Sequence, residues 1–134
     1  ENELKELSGT YSNFALDLGY KEYLSHKIYA SSDFLLMPSR VEPCGLNQMY
    51  AMRYGTVPIV RYIGGLRDTV EDISTGGSGI NFGDATAEDA VNAMHRAMHM
   101  YHDHDLMKNL IQSNMDFDFS WDKSAHIYLE LYRK

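Results

Sequence analysis

Two passages of the sequence follow the same order: a short apolar run, a turn rich in proline or glycine, then apolar positions at helical spacing. In the first, Asp33-Phe-Leu-Leu-Met37 is bounded by paired serines and Pro38, and the loop Pro38–Cys44 leads into Gly45–Tyr54, where Leu46, Met49, Tyr50 and Arg53 fall at i, i+3, i+4 and i+7. In the second, Val57–Val60 leads through Gly64-Gly65 to a short helical turn. Continuous apolar runs of this length, rich in aliphatic residues and alternating with helices, predict strands buried on both faces of a parallel sheet. Helices are expected on both of its faces. Ligands of such sheets bind beyond the carboxyl ends of the strands, so loops 38–45 and 61–67 are expected to face one crevice.

The rest of the chain extends this pattern. Residues 2–9 read as a short helix ended by Gly9, and Asn13–Leu18 as a strand. Residues 21–31 carry Tyr23, Leu24, Ile28 and Tyr29 at helical spacing, Gly55 stands where a helix terminates, and Gly79–Phe82 reads as one more strand. From Thr86, an N-cap with Asp89 behind it, the pattern is helical: one face of Ala90, Ala93, Met94, Ala97, Met98 and Tyr101, then helices over 103–115 and 121–133. About four strands and a three-helix tail are fewer strands than a full dinucleotide-type sheet holds. The expectation is one domain over 1–134, the carboxyl-terminal portion of a Rossmann-like α/β unit, with no internal repeat and no linker.

Composition excludes several classes. With 44% hydrophobic and 23% charged residues in 134, the chain can close one core and is not of disordered type. No apolar run reaches the roughly 18–20 residues of a membrane helix. No signal peptide is visible, and a lone cysteine, Cys44, cannot form an internal disulfide; the expected location is the cytoplasm, with no membrane partner. The 12 basic and 19 acidic residues give a net charge of −7, which disfavours a nucleic-acid binder. Residues 40–67 run against that trend: Arg40, Arg53, Arg61 and Arg67 face only Glu42, a local +3, leaving 8 basic against 18 acidic residues elsewhere. A basic, glycine-bearing segment in an acidic domain fits a site for a small anion; four unrelated surface arginines fit it equally.

The run Pro38-Ser-Arg-Val-Glu-Pro-Cys-Gly-Leu46 follows a strand and opens a helix, so free N–H groups around Gly45, Leu46 and Asn47 are expected to point into the crevice, as a phosphate requires. Glu42 beside such a cradle puts two anions together unless something neutral lies between them. A sugar on the phosphate fits, since its hydroxyls donate to a carboxylate. The amides of Gly64 and Gly65 can approach the same ligand. These features predict a nucleotide-sugar site. A Gly-x-Gly-x-x-Gly after a strand and a Gly-Lys-Ser/Thr loop are both missing, against a dehydrogenase and a P-loop NTPase.

The run from Met37 to Val60, with Gly64-Gly-Leu-Arg-Asp-Thr-Val70, resembles the carboxyl-terminal domain of bacterial glycogen synthases and plant starch synthases. Gly19-Tyr20, His26-Lys27-Ile28 and Ser32-Asp33 fit as well, and Phe119-Ser-Trp121 fits more loosely. The resemblance implies a retaining GT-B glycosyltransferase that moves glucose from ADP-glucose or UDP-glucose to the nonreducing end of an α-1,4-glucan, without a metal or other cofactor. It implies that Glu42 holds hydroxyls of the donor glucose as the catalytic-site acid and that Tyr20 stacks on the base. Cys44, Gly45, Leu46 and Asn47 would surround the distal phosphate, and Gly64, Gly65 and Leu66 would line the donor side. It further implies an amino-terminal domain carrying a Lys-x-Gly-Gly-Leu loop, the glucan-binding surface, and an arginine and a lysine set against the diphosphate; without these the chain alone is expected to be inactive. Ile63 stands where the family has threonine, and Tyr50 where wider GT-B relatives have a second glutamate. The competing functions are a non-catalytic nucleotide- or glucan-binding module and a related retaining transferase with another donor. Cys44 is expected to be packed rather than reactive, and His95, His99, His102 and His104 to form a solvated face, with a shared metal as the alternative.

Overall fold

The computed structural model describes residues 1–133. In chain order it contains α1 (Asn2–Thr10), α2 (Glu22–Ser31), β1 (Phe34–Met37), α3 (Asn47–Arg53), β2 (Val57–Arg61), α4 (Gly64–Thr69), a 3-10 turn (Ile73–Thr75), β3 (Ile80–Phe82), α5 (Ala87–Tyr101), α6 (His104–Met115) and α7 (Trp121–Tyr132). The three strands form one parallel sheet in the order β1-β2-β3, with Phe34 opposite Val57 and Ile59 opposite Ile80.

Residue alternation along β2 divides the core into two layers. Val57 and Ile59, with Ile80 and Phe82, meet Ala93, Ala97 and Met100 of α5 and Met107 and Leu110 of α6. On the opposite face Val60 and Met37 meet Met52 of α3, Leu66 of α4 and Val70. Side chains as fully buried as Val60, Ile80 and Leu66 each contribute about 1.5–3 kcal/mol by leaving water. The helices therefore cover both faces, as the sequence predicts.

Local chemistry sets the element ends. The Thr86 hydroxyl accepts from the Asp89 amide (3.2 Å), while the Asp89 carboxylate accepts from the amides of Gly83 (2.8 Å) and Asp84 (2.7 Å). Asp103 caps α6 by accepting from Leu106 N–H at 3.0 Å. Helix α3 ends in a Schellman turn: Gly55, at φ +85°, donates to Met52 and Thr56 donates back to Ala51. The buried Thr56 hydroxyl then donates to Ser32 at 2.8 Å and lies against the Tyr29 carbonyl, tying the end of α2 to the start of β2.

Several expectations are corrected. Asn13–Leu18 is an irregular segment: its alternating pattern has no ladder to join, so the sheet has three strands. Helix α1 runs through Gly9 to Thr10, with Tyr11 N–H closing onto Leu7. Strand β1 is an edge strand, with Leu36 39% exposed, rather than one buried on both sides. Helix α3 buries Gln48, Ala51 and Met52, and the Leu46/Tyr50/Arg53 stripe faces outward. The covered face of α5 runs through Ala93, Ala97 and Met100, leaving Met98 and Tyr101 exposed. Helices α1 and α7 bury none of their residues.

Candidate functional site

The loops leaving β1 and β2 at their carboxyl ends lie directly on one another. Gly65 N–H donates to the Glu42 carbonyl at 3.1 Å. A Cβ on Gly64 would lie 1.9 Å from that carbonyl oxygen, and one on Gly65 would lie 2.1 Å from the carbonyl of Cys44. Only glycine allows the second turn to support the first this closely.

Residues 43–47 then turn into α3 with Gly45 at φ +77°. Leu46 is the N-cap and supplies no side-chain bond, and the N–H groups of Gly45, Leu46 and Asn47 have no hydrogen-bond partner among the described residues. Leu46 and Asn47 are exposed. This is an open row of backbone donors at the carboxyl end of the sheet. Glu42, four residues ahead of Leu46, is half-buried, and its Oε2 accepts from the Ser39 hydroxyl at 3.3 Å.

The other residues singled out from sequence are placed as follows. Tyr20 is 86% exposed just ahead of α2. Partial burial pushes the Tyr29 phenol up, and the phenols of Tyr50 and Tyr20 add to that shift. Cys44 is exposed, contrary to the packed position expected. In the second turn, the Leu66 side chain is fully buried in the core and its N–H is spent on Ile63, while Gly65 N–H is spent on Glu42. Gly64 N–H is left without a partner among the described residues.

The basic segment is not a ring of free cations. Arg61 donates to the carbonyls of Arg40 (2.8 Å), Ser39 (3.2 Å) and Gly83 (3.1 Å), and Arg53 donates to Met115. These two guanidiniums shape loops and helix ends. Arg40 and Arg67 stay on the surface.

Sequence reasoning missed three features. Gln48 is completely buried, with its Nε2 donating to the Gly45 carbonyl and to the Thr69 hydroxyl, both at 2.9 Å. An aromatic group of His26, Tyr29, Tyr50 and Tyr54 joins α2 to α3, with Tyr54 Oη 3.1 Å from His26 Nδ1. A groove of about 600 Å³ opens beside Leu46, lined by Tyr50, Arg53, Phe117, Phe119 and Trp121. The spacing of Leu46, Met49, Tyr50 and Arg53 leaves Gln48 out of the helical pattern. The signal available was its place one turn before the core residue Met52.

Beyond the second turn, Tyr62 and Arg67 border an open cavity of about 780 Å³ that also meets Asp72 and Arg96. Asp72 accepts from Arg96 Nη2 (2.5 Å), Asn81 N–H (2.7 Å) and both the amide and the hydroxyl of Ser74. Burial alone would raise its pKa, but these donors outweigh burial and hold the carboxyl well below the usual carboxylate range. Among the described residues no three His, Cys, Asp or Glu side chains are grouped to hold a metal ion, and His95, His99, His102 and His104 are all exposed. Among the described residues no helix is long and apolar enough to cross a membrane.

Comparison with known proteins adds a second line of evidence. Residues 17–115 match the model of the family described as Glycosyl transferases group 1. The chain is 48% identical over 133 residues to a glycogen synthase of Flavobacterium johnsoniae, covering 98% of this chain and 28% of that protein. It is 46% identical over 134 residues to a glycogen synthase of Aquifex aeolicus, covering 100% and 29%. Among solved structures, the catalytic domain of starch synthase IV from Arabidopsis thaliana, bound to ADP and acarbose, superposes with a TM-score of 0.88 at 40% identity, over 98% of this chain and 29% of that one. A sucrose-phosphate synthase from Thermosynechococcus elongatus shares the fold, with a TM-score of 0.71 at 24% identity over 98% and 33%. The parallel sheet and its helices are thus arranged as in GT-B glycosyltransferases. The chain spans a little over a quarter of the length of the glycogen synthases it matches.

Proposed function

The chain belongs to the Glycosyl transferases group 1 family, and we propose that it forms the nucleotide-sugar-binding part of a longer glycogen or starch synthase. That enzyme transfers glucose from ADP-glucose or UDP-glucose to the nonreducing end of an α-1,4-glucan with retention. The observation that carries this reading is the row of N–H groups at Gly45, Leu46 and Asn47, without partners among the described residues, three to five residues downstream of Glu42 and backed by the second glycine turn. A nearby ADP-bound relative adds support.

In this reading the distal phosphate of the donor sits on those three amides, with Cys44 alongside. Glu42 accepts from hydroxyls of the transferred glucose, Tyr20 covers the base, and the turn of Gly64, Gly65 and Leu66 closes the donor side. Cleavage of the glycosyl–phosphate bond gives the sugar cationic character and leaves a diphosphate. Fixed amide dipoles stabilise that leaving charge without reorganising, an effect commonly worth several kcal/mol. The acceptor hydroxyl attacks on the face the diphosphate vacates, so configuration is retained without the flanking carboxylate pair of a retaining glycosidase. Neither metal nor cofactor enters this scheme, and the site of action is the cytoplasm.

The test is calorimetry on the full-length enzyme with ADP, UDP, ADP-glucose and UDP-glucose, followed by incorporation of radiolabelled glucose into glycogen. Saturable binding of one nucleotide series with transfer to glycogen is expected. Binding to glycogen without any nucleotide affinity would leave a glucan-binding module in its place.

A further inference from the structure

Gln48 is the most buried polar residue near the donor loop. It touches no candidate ligand position, yet its bonds fix where the loop's amides point. Resting on the donor-site reading above, we propose that Gln48, held by Thr69, is a positioning residue that turns the N–H groups of Gly45 and Leu46 toward the diphosphate.

The geometry follows from the planarity of the peptide. In a trans peptide the carbonyl of one residue and the N–H of the next point in opposite directions. Gln48 Nε2 donates to the Gly45 carbonyl at 2.9 Å and lies 3.4 Å from that of Cys44. Both carbonyls are therefore drawn inward, toward a side chain with no solvent exposure. The N–H of Leu46, in plane with the Gly45 carbonyl, must then point outward, and so must the N–H of Gly45, in plane with that of Cys44.

The amide of Gln48 cannot turn over. Reversed, its oxygen would face two carbonyl oxygens and lose both bonds. Thr69 fixes the same polarity from the other side. Its hydroxyl gives its only proton to the Gly65 carbonyl at 2.7 Å, so it can only accept from Gln48, which it does at 2.9 Å. The order Gln48 N–H to Thr69 O–H to Gly65 C=O runs one way and joins the first loop to the second beneath the site. Gln48 Oε1 is buried and has no partner among the described residues, so the side chain is held through its Nε2. A Cβ at position 45 would lie 2.7 Å from that same oxygen, so the loop is closed down onto the glutamine.

The experiment measures ADP binding by calorimetry in the full-length enzyme for wild type, Thr69→Val, Thr69→Ser and Gln48→Met. Thr69→Val keeps the side-chain shape and removes the hydroxyl; Thr69→Ser keeps the hydroxyl. The expected result is an ADP Kd raised about tenfold by Thr69→Val and by Gln48→Met, restored by Thr69→Ser, with stoichiometry near one and the KM for glycogen unchanged. The double variant Gln48→Met/Thr69→Val should be no weaker than the worse single one, because both cut the same chain of bonds. A role in stability alone would lower the melting temperature or the binding-competent fraction and leave Kd at its wild-type value. That result with folded Thr69→Val overturns the proposal even if Gln48→Met fails to fold. Failure of the wild-type enzyme to bind ADP would instead overturn the donor-site reading, and the proposal with it.

Discussion

Glu42 is the single acid in the basic stretch 40–67, and its two ends do different work. Its backbone carbonyl receives the Gly65 amide, and among the described residues its carboxylate is steadied only by the Ser39 hydroxyl, with further acceptor capacity left over. Replacing it with glutamine keeps the backbone contact and removes the charge. In the full-length enzyme Glu42→Gln should lower kcat/KM for the sugar nucleotide by about 10- to 100-fold, the worth of a charge-assisted hydrogen bond to a hydroxyl, with little change in melting temperature. Steady-state kinetics beside a thermal melt check both halves. Gly65 makes the opposite case. Its missing Cβ is what lets Cys44 lie against it, with the Cys44 Cα 2.5 Å from where that carbon would be. Gly65→Ala must push backbone from backbone, and urea unfolding should show a loss of about 3 kcal/mol or more. At this scale the sequence disclosed the close turns, since Gly64 and Gly65 stand where a Cβ would strike the backbone of Glu42 and Cys44. It concealed which donors were already spent: the bonds made by Arg61, Gly65 N–H and Leu66 N–H depend on neighbours 20 or more residues away or on the exact path of a turn.

Elements with a strong local signal were legible, and those defined by partners were not. The apolar runs of β1 and β2, the Thr86 cap of α5 and the Gly55 stop of α3 each carry their cause within a few residues. Asn13–Leu18 alternates like a strand, but a strand exists only when something pairs with it. The spacing of Leu46, Met49, Tyr50 and Arg53 marks α3 as a helix but not its inward face, which holds Ala51, Met52 and a Gln48 whose amide is paired with Gly45 and Thr69. The 3-10 turn before β3 supplies a prediction of its own. Asp72 joins that turn to β3 and, through Arg96, to α5. Its folded-state pKa lies below the ordinary value of 3.8, so the ionised form is the one folding favours. The stability it contributes is therefore fully present above about pH 4 to 5 and is lost as pH falls through the unfolded and then the folded pKa. Asp72→Ala should cost about 2–3 kcal/mol at neutral pH. Its unfolding free energy should also fall less steeply than wild type between pH 5 and pH 2. Parallel slopes in that window would show that the carboxylate is not held by these donors.

For the whole molecule, the question is whether this arrangement can catalyse by itself. The chain carries a net charge of −7, so a doubly or triply charged leaving group meets a repulsive field on approach. Against that field the loop entering α3 offers backbone amides, partial charges that act over a few ångströms. Two of the four arginines in the basic segment are committed to the carbonyls of Ser39, Arg40, Gly83 and Met115. Amides can orient a diphosphate, but neutralising it takes full positive charges, and the matched glycogen synthases have nearly three-quarters of their length beyond this chain. The isolated 134-residue chain should accordingly transfer no measurable glucose from ADP-glucose to glycogen and should bind ADP at least about tenfold more weakly than the full-length enzyme. The deficit should shrink as ionic strength rises, because salt screens the acidic body more than the short-range amide contacts. In the full-length enzyme the counter-charge is proposed to be protein-borne, so dialysis against EDTA should leave transfer within about twofold of its starting rate. A rate that collapses with EDTA and returns with a divalent cation would show that a metal neutralises the diphosphate, and the amide row would keep only the task of holding it in place.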